Sequence, residues 1–294
     1  MTAQSGYVPI TQAGKDYVKR VYFSNPNGNN RLQGSKNIPV SNTNIAAGTY
    51  IIAKPYYNGK LITTNIELYD AIIYWYTYYC GASQYNLNAN VLTAQAEHES
   101  AFIIWIYDAP GVGGIASATG IGQFLPAAIW DIMLTNNYSY ITPLFTQAEI
   151  NKLSVGFTHP VSYYQGLSNN NGHNLNAFIS DMTNTTALYY NMINNPDLCI
   201  KGHCRYMAFF ANHCNHIASA SIACYFQGVK YAATSYTDVL AKMSPSIRSK
   251  VQTYNNQLFT SLKKNFQLPQ LQNVTVTDTI GLVMADPGQS KYNT

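Results

Sequence analysis

The stretch AEHESAFIIWIYDAPGVGGIASATGIGQFLP, residues 96–126, sets Glu97, His98 and Glu99 at the end of an apolar run and then drops into glycine-rich chain. Upstream of it Leu87, Val91, Leu92 and Ala96 recur at helical spacing, with Asn88 or Asn90 as a cap, so the spacing predicts a helix carrying Glu99 near its C-terminal end. Residues two apart on a helix point to different sides, so Glu97 and Glu99 belong to different faces, and Glu97 and His98 read as bystanders. The apolar and aromatic residues of SAFIIWIY would desolvate the Glu99 carboxyl and raise its pKa, as an acid working at neutral pH requires. On this segment alone, two solvated carboxylates on a helix rim account for the pattern more simply.

Outward from this stretch the chain reads as mainly α. NIELYDAIIYWYTYYCG, from Asn65 to Gly81, is a mostly buried helix with an Asn cap and a Gly stop. PAAIWDIMLTNN is a short helix opening at Pro126. Residues 136–176 read as loop-rich, with SNNNGHN the clearest break. Beyond them LNAFISDMTNTTALYYNMI, IKGHCRYMAFFANHCNHI, SASIACYFQGVKYAAT and SPSIRSKVQTYNNQLFTSLKKNF supply four helical segments. Residues 1–64 read as an arm or small β-containing region, with β-type runs around a Tyr-Asn-Gly turn, and residues 267–294 as an extended tail. The helical body therefore spans 65–266. Tyrosines within residues 74–79 sit at helical spacing and belong to the core, whereas Tyr56, Tyr57, Tyr163 and Tyr164, in loop-like sequence, are candidates for stacking on a sugar.

Charged residues make up only 10% of the 294 positions, while tyrosine and asparagine abound. Polarity of that kind suits neutral polar ligands, sugars among them. The net charge of +4 comes from scattered Lys and Arg, with no run longer than Lys263-Lys264, which excludes the electrostatic footprint of a nucleic-acid binder. No apolar run reaches the roughly 18 residues of a membrane span, and the first residues lack the basic and apolar regions of a signal peptide. Five cysteines, Cys80, Cys199, Cys204, Cys214 and Cys224, do not make a complete disulfide framework and read mostly as buried thiols. His213 and His216 share a helix face near cysteines, but the spacing is not that of a zinc knuckle, so neither metal nor cofactor is expected.

Three motifs, in order, resemble those of the family 1 soluble lytic transglycosylases and their goose-lysozyme-like relatives. The first is Glu99-Ser100 at a helix end. The second is the turn ASATGIGQFLP, with Ser117, Gly120, Gln123 and Pro126 at the family's positions. The third is the helix holding Ile200, Tyr206 and Met207, followed by ACYFQG, Ala223 to Gly228. The resemblance covers about residues 65–240. It implies a lysozyme-like helical domain in which Glu99 is the catalytic acid and base. Ser100, Ser117, Gly120, Gln123 and Tyr225 would line the substrate, with Tyr225 beside Glu99. Departures from the family pattern are a longer loop after Glu99, Gly122 where Met is usual, His203 where Gly is usual and Phe226 where Asn is usual.

The function this implies is cleavage of the β-1,4 bond between N-acetylmuramic acid and N-acetylglucosamine in peptidoglycan, with closure of a 1,6-anhydro ring by a single carboxylic acid. Inverting hydrolysis would need a second carboxylate about 6.5–9.5 Å away, for which Asp108 is the candidate, though Asp before Ala-Pro is also a turn residue. A goose-type-lysozyme-like muramidase is thus one alternative. A non-catalytic structural or adhesion protein of a virion is the other. Without a signal peptide, a wall-degrading chain is expected to be virion-associated or delivered to the periplasm and cell wall, with peptidoglycan strands as partners and other virion or tail proteins contacted through the arms.

Overall fold

In a computed structural model of the protein, the described residues are 56–57, 60–61, 89–100, 118–120, 122–135, 144–166, 173–184 and 187–266. They are mainly helical. The expected helix over 65–81, most of the 1–64 arm and the 267–294 tail lie outside them.

An antiparallel pair, β1 (Tyr56–Tyr57) and β2 (Lys60–Leu61), flanks the Asn58-Gly59 turn signal, with Tyr56 opposite Leu61. The helices that follow are α1 (Ala89–Ser100), α2 (Pro126–Ile129), α3 (Gln147–Leu153), α4 (Val161–Gly166), α5 (His173–Asn184), α6 (Ala187–Asn194), α7 (Pro196–His213), α8 (Ala218–Gln227), α9 (Tyr236–Ala241) and α10 (Pro245–Phe266). A π-helical turn, Trp130–Leu134, continues α2, and a 3-10 turn, Val229–Tyr231, follows α8.

Local chemistry sets the ends of these elements. Pro126 and Pro196 open α2 and α7, where a missing N–H is harmless. Thr146 and Glu149 form a reciprocal capping box on α3, and Ser235 accepts from the N–H of Asp238 to cap α9. Gly228, at φ 102, stops α8, and its N–H bonds to the carbonyl of Cys224.

The core is built around α7. From Leu198 to Ala211 every residue of this helix except Tyr206 is buried, including Lys201, His203 and Arg205. Helix α7 packs on α8, on α6 and on the π-helical turn, while α1 packs along α10 and α8 also meets α10. Arg205, with no exposed surface, donates to the carbonyl of Ile132 inside the π-helical turn, where the helix's own pattern of donors is altered. A second aromatic cluster, Trp130, Tyr164 and Phe178, closes the other flank, with ring centroids 5.1 to 6.0 Å apart.

Three sequence expectations need correction. Residues 136–176 are not simply loop, since α3, α4 and the start of α5 fall there. Each short helix buries only one or two apolar residues, such as Ile150 and Leu153 on α3, too few for a helical period to show. The segment expected as one helix over 175–193 is covered by two, α5 and α6. Tyr163 and Tyr164 are on α4 rather than in a loop. Tyr164 is fully buried and donates to Asp181 at 2.8 Å, so it packs the core instead of presenting a ring to a sugar.

Candidate active site

Helix α1 delivers Glu99 to its last turn, as the spacing of its apolar residues predicts. The residue is half-buried, and burial of its carboxyl pushes the pKa up to about 7, against the opposing effect of a hydrogen bond from Tyr254. Tyr254, on α10, donates its hydroxyl to Oε1 of Glu99 at 2.5 Å. Burial and the neighbouring Glu99 charge in turn drive the tyrosine's own pKa well above its ordinary value, so it stays a donor. Its ring is held between His98, edge-on at 4.2 Å, and Phe226, stacked at 5.0 Å and itself partly exposed.

One turn before Glu99, Gln95 is fully buried and lies against the same tyrosine hydroxyl. Its amide oxygen is 2.9 Å from Nε2 of His203. Complete burial lowers the His203 pKa to about 3, so the ring is neutral and Nε2–H donates to the amide oxygen. Two polar pairs therefore lie side by side, His203 with Gln95 and Tyr254 with Glu99.

The glycine-rich turn docks on these pairs. Thr119 and Phe124 exchange backbone hydrogen bonds, each 3.0 Å, across Gly120–Gln123. Gly120, at φ 72, is required twice over, because a Cβ there would fall 2.7 Å from Sγ of Cys199 on α7. At Gly122 a Cβ would meet the Phe124 ring at 2.7 Å and Nδ1 of His203 at 3.0 Å. Gly122 and His203 thus face each other, and the absence of a side chain at one position leaves the room that the imidazole at the other takes up.

Tyr225, on α8, stacks on His203 with centroids 5.4 Å apart and donates its hydroxyl to the carbonyl of Gly122. Burial, followed by the charge of Glu99, raises its pKa well above the ordinary value, which places it within the electrostatic reach of the acid. The structure thus brings Glu99, Gly120, Gln123 and Tyr225 to one region. It also shows that the Tyr225 hydroxyl is engaged with the turn. The Gln123 side chain bonds back to the carbonyl of Gly120 at 2.9 Å. The buried Ser100 hydroxyl bonds to the carbonyl of Ala96 at 2.8 Å, tying it to its own helix. Ser117 and Asp108 lie outside the described residues.

Glu97 is not turned away from the helix that meets Glu99, since it accepts from Ser261 on α10 at 3.1 Å. Tyr254 and Ser261 are two turns apart on α10, so both carboxylates of α1 meet one face of that helix. Sequence reasoning missed Tyr254, Gln95 and the role of His203. Gln95, four residues before Glu99, was signalled by helical spacing, whereas Tyr254 sits on the buried stripe with Val251 and Leu258 and looks like any core aromatic. Among the described residues no group of three or more His, Cys, Asp or Glu converges as a metal site.

The arrangement is a carboxyl whose pKa burial pushes up to about 7, held by one hydroxyl donor and backed by buried polar groups. Comparison with protein-family models, with curated proteins and with solved structures finds no match.

Proposed function

We propose that this protein is a peptidoglycan-degrading enzyme with a lysozyme-like helical domain, acting as a lytic transglycosylase through Glu99. The observation that carries the reading is the Glu99 carboxyl, pushed up to about 7 by burial while Tyr254 fixes one of its oxygens. At neutral pH such a group supplies a proton to a leaving glycosidic oxygen and then, as carboxylate, takes one back. In the proposed reaction Glu99 protonates the bridging oxygen as the bond to muramic C1 breaks. The carboxylate next accepts the C6 hydroxyl proton as O6 bonds to C1, which closes the anhydro ring and restores the acid. No water enters, so no second carboxylate is required. The partly exposed ring of Phe226, stacked on Tyr254, offers an apolar face to a pyranose beside the acid.

The test is digestion of purified peptidoglycan with mass analysis of the product termini. Anhydro-muramic ends formed by the wild type and lost in Glu99→Gln are expected. Reducing muramic ends would replace this reading with a muramidase, and Asp108→Asn would then be the next variant. No products from either chain would leave a structural or adhesion protein. Carriage to the wall by a virion is the companion proposal, checked by searching purified particles for this chain.

A further inference from the structure

The turn between α7 and α8 holds a sulfur pair that the proposed chemistry does not use. Cys214 ends α7, with its N–H shared between the carbonyls of Phe210 and Ala211. Asn215 and His216 then adopt left-handed conformations, at φ 51 and 58, which non-glycine residues adopt only where surrounding structure enforces it. This reversal lays α8 back along α7 and sets Sγ of Cys224 3.3 Å from Sγ of Cys214, both residues with no exposed surface. One sulfur sits at the cap of α7 and the other on α8, and they need to close by only about 1.3 Å to reach a disulfide bond of roughly 2.0 Å.

The surroundings distinguish the two thiols. Cys214 is held below the ordinary thiol value, first by the hydrogen bond with Cys224 and further by the Ala233 backbone and the Lys242 charge. Cys224 is pushed up, first by that same bond and then by burial. Cys214 is therefore the more readily ionised of the two thiols, and a thiolate is the attacking species in disulfide exchange.

We propose that Cys214 and Cys224 are a disulfide site, oxidised by a low-molecular-weight disulfide of the glutathione type that the chain meets while it folds. The Cys214 thiolate attacks one sulfur of the oxidant and expels a thiolate, which leaves a mixed disulfide on the protein. Cys224 then gives up its proton and attacks the Cys214 sulfur, expelling the second thiol. Two protein thiols are oxidised and one small disulfide is reduced to two thiols. Since both sulfurs are buried in the finished fold, the exchange belongs to folding or to opening of the strained turn. The product staples the end of α7 to the last turn of α8, the turn that also carries Tyr225 and Phe226. The inference is independent of the role given to Glu99.

The test is refolding of the full chain in mixtures of reduced and oxidised glutathione, followed by denaturation, alkylation with iodoacetamide and tryptic mapping. The peptide Tyr206–Lys230 contains both Cys214 and Cys224, whereas Cys199 and Cys204 fall in other tryptic peptides. The expected result is a Tyr206–Lys230 peptide lighter by two hydrogens and unalkylated, formed as the oxidised fraction rises. Full alkylation of that peptide at every ratio, or linkage of either cysteine to a different one, overturns the proposal. A second measurement is the thermal unfolding midpoint, which is expected to rise by several degrees on oxidation in the wild type and not in Cys224→Ala. An equal rise in that variant also overturns it.

Discussion

At Glu99 two effects oppose each other. Burial favours the neutral acid, and the Tyr254 hydroxyl favours the carboxylate, with burial the stronger. Removing the donor with Tyr254→Phe leaves burial unopposed, so the Glu99 pKa is expected to rise and the alkaline limb of the pH profile of kcat/KM to move to higher pH. An unchanged limb would separate Tyr254 from the acid. The same shift has a consequence for stability that needs no substrate. The folded chain keeps this proton up to about pH 7, whereas an ordinary carboxyl releases it near 4.5, so between those values the folded state binds more protons than the unfolded state. Stability gained from the proton is thus fully present below 4.5 and is lost as pH rises through 7. The difference of 7 − 4.5 pKa units corresponds to on the order of 3 kcal/mol. Glu99→Gln, which stays neutral and still accepts from Tyr254, is expected to gain stability over the wild type progressively across that window, read by urea unfolding at pH 5 and pH 8. A gap that does not change with pH would mean an ordinary carboxylate. The place of Glu99 at the end of α1 was legible because the apolar period of that helix runs up to it. Tyr254 was not, because a tyrosine at core spacing gives no sign of where its hydroxyl points.

Elements were legible where apolar periodicity ran for several turns, as in α1, α7 and α10, and were lost where a helix was too short to show a period, as in α3, α4 and α9. The glycine-rich turn was legible as a turn, but its partner was not, because Gly122 and His203 lie far apart in sequence and meet only once α7 is in place. That meeting makes a prediction about coupling. Gly122→Ala puts a Cβ against the Phe124 ring and the His203 imidazole, and overpacking of this kind destabilises by about 1–3 kcal/mol. With His203→Ala already present the Phe124 ring has room to move, so the added loss from Gly122→Ala is expected to fall by on the order of 1 kcal/mol. Urea unfolding of the two single variants and the double variant measures this. Strict additivity would show that the two positions do not share their space.

Across the whole molecule, few residues are charged, yet Lys201 and Arg205 are buried at the centre of the core helix. Residue type argues for the surface, so no reading of the sequence would place them there. Lys201 explains why the fold accepts the charge. Its ammonium lies 2.8 Å from Oε2 of Glu149, donates to the carbonyl of Leu144 at 3.2 Å and sits 4.5 Å from the centre of the Phe145 ring. Through it the start of α3 is fastened to α7. The two partners are not equally shielded, with side chains 3% exposed for Lys201 and 19% for Glu149. Loss of the carboxylate charge leaves a deeply buried ammonium short of compensation, whereas loss of the ammonium leaves a carboxylate that water and the Thr146 N–H still reach. Glu149→Gln keeps an oxygen for the capping box, so it removes the charge and little else. Lys201→Met keeps most of the packed volume of the side chain. The expected order is therefore the reverse of what exposure alone suggests. Glu149→Gln should lower the unfolding free energy by about 2 kcal/mol and Lys201→Met by about 1 kcal/mol or less, measured by urea unfolding at neutral pH. Lys201→Met proving the more damaging would mean that the ammonium contributes net stability to the core, beyond neutralising the carboxylate that fastens α3.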